Sequence, residues 1–350
     1  MKSEEILLID LNMEIHKKYF IVNWILNDDS FAVPGKNLFF LIDQSTKKIS
    51  NNTLEISKRS IEKCIQFIRQ KTNKNIVFNF FGGEFFRQSE IKELYMLLKK
   101  NNCKTAIVAN HFHKLQYWEN ISGLLDFITL NYHADYMNIE TALSIVDYLR
   151  KNSIVSVNIL MLDKSFKKSR AAGEKIIESF PEVIVRFHAI NQNNLDFTFW
   201  FFREKLKSIS YSKEQKEEIR NLIIYARERI LKLNLAEKWY QGFVSSFTRD
   251  GQSLASLPEE LCLKGKNNLD GWLCWAGQEQ LTVDAFGNVF RAACFQDWLG
   301  NLNGKEVKWP ALPIICNRKN CNNYFDMVGK KQPYIDYNTE NIKKLAKMFK

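Results

Sequence analysis

The chain has 350 residues, 45% of them hydrophobic and 25% charged, with only 14 glycines and 6 prolines. That is enough to bury a full core and a smaller second unit, and it excludes a disordered or low-complexity protein. No apolar run reaches the ~20 residues of a membrane helix. The opening Met-Lys-Ser-Glu-Glu lacks a secretion-type apolar stretch, so the expectation is a cytoplasmic protein with no membrane partner. The seven cysteines then point to thiols or metal ligands rather than disulfides. A net charge of +11 invites a nucleic-acid partner, yet the lysines scatter over the polar faces of predicted helices instead of forming a stripe.

Residues 18–26 read as a first buried strand, followed by an Asp/Ser/Pro/Gly loop at 27–36 and a short extra strand at 38–43. Ile61, Cys64, Ile65 and Ile68 recur at helical spacing within 57–71. A run of β-formers, Ile76 to Phe81, makes the next strand. The alternation then continues: helix 89–100, strand 105–109, helix around 115–124, strand 125–131, helix 141–151, strand 155–162, helix 170–180, strand 183–190. Six strands separated by helices mean parallel strands with right-handed crossovers, and six units are too few for the usual eight-unit barrel. The expected fold is α/β, an open, partial (β/α)6 barrel over residues 1–204.

An aromatic cluster at 192–203 suits a plug between units. A helix at 212–234 and a second at 237–250 would form a connector over 205–257. Residues 258–330 change character and hold five of the seven cysteines, and a basic helix is expected over 331–350.

Two stretches carry chemistry. The strand ending at Phe81 stops at Gly82-Gly83-Glu84. Two glycines let the backbone bend and approach a ligand, and the carboxylate then stands at the carboxyl end of the strand, where α/β folds place ligands. A carboxylate beside exposed backbone suits an ammonium group, although the same tripeptide also forms an ordinary strand-to-loop turn. In the tail, Cys274-Trp-Ala-Gly precedes a hairpin with its turn at Asp284 to Gly287, Cys294 follows, and Cys316 and Cys321 come later. A hairpin flanked by cysteines brings four thiolates around one point, a set that selects zinc or an iron–sulfur cluster. Cys262 is a spare donor.

The Gly-Gly-Glu after the second strand of a six-unit barrel resembles the motif with which radical S-adenosylmethionine (SAM) enzymes grip the amino group of SAM. The tail, with Cys-x-x-Gly, an Asp-x-x-Gly-x-Val hairpin, a cysteine and Gly300-Asn301-Leu302, resembles the twitch and SPASM extensions of that family. The resemblance implies Gly82, Gly83 and Glu84 as SAM contacts, and one 4Fe-4S cluster, or zinc, held by Cys274, Cys294, Cys316 and Cys321. Two later cysteines stand where SPASM domains have four, and Asn323 occupies a position where similar tails place another, so at most one centre is expected. The family's cluster also needs CxxxCxxC in the loop after the first strand. Residues 26–52 contain no cysteine, and the most economical alignment puts Asp28, Ala32 and Gly35 at the ligand positions.

Asn131 and Asn158 lie on strands that would line the pocket, and Arg186 and His188 share one side of the sixth strand, inward or outward. His133 and Asp135 end the fourth strand as ligand contacts or a capped loop, and the pair His111 and His113 fits a surface segment. Cys64 on an apolar helix face behaves as a small hydrophobe. No P-loop, GxSxG or dinucleotide fingerprint appears. The expectation is therefore a degenerate radical SAM protein that binds SAM weakly at best. It would serve as a non-catalytic partner for a peptide, a glycan or a catalytic relative. An enzyme using the barrel pocket differently and a zinc-bearing nucleic-acid module are the alternatives.

Overall fold

A computed structural model describes residues 6–10, 18–25, 53–81, 88–109, 114–189, 211–234, 244–248, 253–284, 286–304, 306–321, 324–327 and 330–333. After β1 (Ile6–Asp10), the parallel strands are β2 (Tyr19–Ile25), β3 (Asn75–Phe81), β4 (Lys104–Ala109), β5 (Phe127–Tyr132), β6 (Ile154–Met161) and β7 (Ile184–Ala189). Helices α1 (Thr53–Arg69), α2 (Gln88–Lys100), α3 (Leu115–Ile121), α4 (Ile139–Leu149) and α5 (Phe166–Ser179) separate them, and α6 (Lys213–Lys232) packs on β7. The six strands pair in chain order, all parallel, as the β–α rhythm predicts. The loop and extra strand predicted at 27–43 lie outside the described residues.

Pleating sorts each strand into two faces. Phe20, Val22 and Trp24, then Phe78 and Phe80, then Val157 and Ile159 face the helices and are buried. The Phe80 ring meets Tyr95 of α2 edge-on at 5.4 Å. The opposite face is apolar near the amino ends of the strands, where Tyr19 meets Phe127. Towards the carboxyl ends it turns polar, with Asn23, Asn79, Thr129, Asn131, Ser156, Asn158, Arg186 and His188.

The tail joins this sheet. After α7 (Pro258–Leu263) and β10 (Trp272–Cys274), strand β11 (Gln280–Val283) pairs in parallel with β2, placing Gln280 opposite Ile21 and Thr282 opposite Asn23. The predicted hairpin is β11 with β12 (Asn288–Phe290), and β13 (Trp298–Asn301) completes nine strands. Gly300, at φ +141°, lies so close to the Glu306 carbonyl that a Cβ would stand 2.4 Å from it.

A second sheet has the order β14-β10-β15-β1-β8-β9, built from β8 (Val244–Thr248), β9 (Ser253–Ser256), β14 (Ile314–Ile315) and β15 (Lys331–Pro333), with helix α8 (Tyr324–Met327) preceding β15. Two expectations are corrected here. Residues 244–248, predicted helical, form a strand between β1 and β9, because Val-Ser-Ser-Phe-Thr suits an extended ladder and its partner comes from the other end of the chain. Residues 331–333 are a strand rather than the start of a helix, because they find ladder partners in Trp272–Cys274 of β10 and, through Lys331, in Ile9 of β1. Residues 334–350 lie outside the described residues. No described helix is long and apolar enough to cross a membrane.

One close approach gives a test of the helix-to-sheet packing. At Gly173 in α5, a Cβ would stand 2.5 Å from Phe187 Cε1 and 2.8 Å from Cζ. Alanine usually stabilises a helix over glycine by ~1 kcal/mol, but overpacking a core costs ~1–3 kcal/mol. Urea unfolding should show Gly173→Ala destabilised, and Gly173→Ala with Phe187→Leu more stable than the two single losses add up to.

Candidate functional site

The polar inner face is where sequence and structure meet. Asn158 Nδ2 donates to Asn131 Oδ1 at 2.8 Å, so the two predicted pocket residues are brought together. Asn79 Nδ2 donates to Asn23 Oδ1 at 3.0 Å, and Ser156 Oγ donates to Thr129 Oγ1 at 3.1 Å. Asn23 Nδ2, Asn158 Oδ1, Thr282 Oγ1 and Gln280 Oε1 are buried with no hydrogen-bond partner among the described residues. Gly82, Gly83 and Glu84 lie outside the described residues, as do Asp28, Ala32, Gly35, His111, His113 and Asn323.

Arg186 and His188 point inward. Phe187 between them packs on Gly173 of α5, which commits its neighbours to the other face. Both reach one carboxylate that the sequence did not suggest: Glu259 Oε1 lies 2.5 Å from Arg186 Nη2 and 2.8 Å from His188 Nε2. Glu259 sits on α7, whose next residue, Glu260, pairs with Arg227 of α6 at 2.9 Å. Burial alone would raise the Glu259 carboxyl, but Arg186 and then His188 pull it down to about 2. Burial lowers the His188 pKa, Glu259 opposes this, and Arg186 adds to it. His133 and Asp135 form a capped turn: the Asp135 amide donates to His133 Nδ1, and the His133 ring lies 4.3 Å from Tyr136.

In the tail, Cys274, Cys316 and Cys321 are buried in one cluster, with Cys294 and Cys262 packed against it. Pairing puts Cys274 opposite Ile314 of β14 and, on its other side, opposite Lys331 of β15. Burial raises the Cys294, Cys316 and Cys321 thiols, and Cys274 beside them raises each further.

No protein-family model matches this sequence, and no curated protein does. Among solved structures, coproporphyrinogen III oxidase (HemN) from Escherichia coli, described as a radical SAM enzyme, matches 76% of this chain at 12% identity and a TM-score of 0.42. SuiB from Streptococcus suis, bound to its precursor peptide SuiA, matches 80% at 12% identity and 0.46. The carboxyl transferase domain of Rhizobium etli pyruvate carboxylase matches 53% at 12% identity and 0.29. This chain spans 63% of HemN and 61% of SuiB. The fold therefore rests on the chain's own strand order.

Two side chains complete the tail cluster, and neither was foreseen. Lys331, 1% exposed, has Cys274, Cys316, Cys321 and Asp326 around it and donates to the Asp326 carbonyl. Burial would lower its pKa, but Cys274, Cys321 and Asp326 together hold it above the ordinary value. The Asp326 carboxylate accepts from the amides of Ala293 (2.9 Å) and Cys294 (2.7 Å) and from Gln280 Nε2 (3.1 Å). Charged residues read as surface in a sequence, and nothing in Asp326 or Lys331 signals burial.

Among the described residues, no three His, Cys, Asp or Glu side chains already stand arranged to hold a metal ion. Cys274, Cys294, Cys316 and Cys321 nonetheless gather in one cluster, and burial opposes ionisation of the Cys294, Cys316 and Cys321 thiols. Residues 26–52 offer no thiol, so the sequence there cannot supply a three-cysteine cluster.

The charge cluster on β7 has a pH signature. An unfolded chain takes up the His188 proton below about 6.5 while the folded chain resists, so stability falls as pH drops through that value. The Glu259 carboxyl, with a folded value of about 2 against 4.5, removes more stability as pH falls from 4.5 towards 2. Urea titrations should show both stages. Glu259→Gln should shrink the lower one and cost ~3–5 kcal/mol at neutral pH by leaving Arg186 short of its charge partner.

Proposed function

We propose that this chain is a degenerate radical SAM protein: a partial barrel that has lost reductive SAM cleavage and acts as a binding partner in a modification pathway. The observation that carries this reading is the cysteine-free segment 26–52, set beside a retained Gly82-Gly83-Glu84 and a four-thiol tail. A three-thiolate loop holds an iron with an open position, which chelates SAM and passes it an electron. Without that loop the chelate, the electron entry and the radical are lost together. A tail centre held by four cysteines has no open position with which to replace it.

The inner face supports a binding role. Its amides bond to each other, its Arg and His are matched by Glu259, and several buried polar atoms still lack a partner among the described residues. Such a surface suits a neutral polar group, such as a peptide amide or a sugar hydroxyl, on a peptide, a glycan intermediate or a catalytic relative. SAM itself would be held weakly, through Gly82, Gly83 and Glu84. When bound in the tail, zinc or one 4Fe-4S cluster would tie together Cys274, Cys294, Cys316 and Cys321 and hold residues 258–330. A nucleic-acid role finds less support. Lys58, Lys99, Lys104 and Lys175 are tied to Glu93, Asp126 and Glu140 on the surface, which leaves less free charge for phosphates.

Anaerobic reconstitution with iron, zinc and sulfide counted per chain should give at most one centre, lost when the four tail cysteines become serine. With SAM and dithionite, the chain should form no 5′-deoxyadenosine above a no-protein control. Catalytic amounts of that product would overturn the proposal in favour of an active enzyme.

A further inference from the structure

The polar inner face does not end at the six parallel strands. Thr282 of β11 lies opposite Asn23 of β2 on one side and opposite Phe290 of β12 on the other, and Phe290 lies opposite Trp298 of β13. Residues opposed across a ladder share a face, so the surface around Asn23 and Thr282 runs on into the hairpin. There it turns aromatic: Phe286 is 54% exposed and Trp298 46%, while Val289 and Leu299 belong to the buried core. The Trp298 ring is held by its edge. Its Nε1 donates to Asn288 Oδ1 at 3.3 Å, an oxygen that also accepts from Asn301 Nδ2 at 2.9 Å. Where the polar part meets the aromatic part, Asn23 Nδ2 and Thr282 Oγ1 are buried with no hydrogen-bond partner among the described residues.

Charge and backbone decide what such a surface takes. Arg186 and His188 are matched by Glu259, Arg291 is matched by Asp297, and the Asp284 carboxylate accepts from the Phe286 and Asn288 amides. A charged ligand would give up hydration here for little return. The outer side of β13 is also taken, because the Leu299 carbonyl accepts from the Lys308 amide at 2.8 Å. A peptide therefore cannot add itself there as a further strand and gain main-chain bonds. What the face offers is exposed aromatic rings beside neutral amides and hydroxyls. A pyranose ring matches both, since its C–H face is flat and apolar against an aromatic ring, and each rim hydroxyl both donates and accepts.

We infer that this continuous face binds a neutral oligosaccharide, with Trp298 stacking on one sugar ring and Asn23 and Thr282 bonding the hydroxyls of another. The inference rests on the reading of the inner face as a binding surface and names its ligand class. Strand β13 stands three strand spacings from β2, roughly 14 Å, which is more than one sugar ring spans. A single sugar can thus meet one part of the face but not both.

The test presents the full chain to an array of neutral oligosaccharides and, in parallel, to an array of uncharged peptides, then titrates the strongest sugar by calorimetry. The wild type should bind sugars of about three rings or more, with the matching monosaccharide at least about tenfold weaker. Trp298→Ala should weaken binding by about tenfold, and Trp298→Phe should restore most of it, because a flat ring returns. Thr282→Val keeps the side-chain shape, loses the hydroxyl, and should also cost about tenfold. Sugar binding of equal strength in the wild type and Trp298→Ala would overturn the inference. Binding to peptides and to no sugar would overturn it while leaving the binding role standing, and silence on both arrays would sink both. None of these results moves the 5′-deoxyadenosine assay, so loss of the sugar assignment and loss of the pseudoenzyme reading are told apart.

Discussion

An open sheet of six parallel strands has two exposed edges, and covering them is the constraint on which the rest of this molecule depends. Each edge strand presents a row of unpaired amides and carbonyls. The β2 edge is covered by β11, which the tail delivers in parallel, with Thr282 opposite Asn23. At the β7 edge the cover is helical: α6 packs on the strand, and α7 sends Glu259 inward to Arg186 and His188. The same short stretch of tail thus grips both ends of the sheet. The polar inner face lies between the two grips.

Those grips differ in physical kind. Backbone pairing of β11 on β2 tolerates many side chains, since the ladder itself supplies the bonds. The cluster on β7 buries an arginine, a histidine and a glutamate together, and taking charges out of water costs several kcal/mol per ion before their attraction returns any of it. Such a cluster adds little net stability over a well-packed apolar core. What it does fix is geometry: a single Glu259 oxygen stands within reach of both Arg186 and His188.

Much of this architecture was legible in the sequence, for reasons that can be named. Strands buried on both faces read as near-continuous apolar runs, and in Ile76 to Phe81 the lone Asn79 marks the inner face. Helices α1 and α2 announced themselves by spacing. The cysteines announced the tail cluster, because thiols are scarce and their positions around a hairpin are informative. What stayed hidden depended on partners far along the chain. Residues 244–248 pair with β1, more than two hundred positions away, and no local pattern reveals that. Buried charges were equally silent: Glu259, Asp326 and Lys331 look like ordinary surface residues until the fold surrounds them.

Thiols are absent from residues 26–52 and gathered in the tail, where they are tied to the backbone of the second sheet. The pairing of β2 with β3 over Tyr19–Ile25 and Asn75–Phe81 is made by backbone, apolar side chains and the Asn79–Asn23 hydrogen bond, without any thiol. The tail cysteines are placed otherwise: Cys274 is in a strand, the Cys316 amide bonds the Trp272 carbonyl, and the Cys294 amide is held by the carboxylate that also holds Gln280. Cysteines so placed pack the tail as buried side chains, beside the Asp326 and Lys331 contacts that seat the same segment.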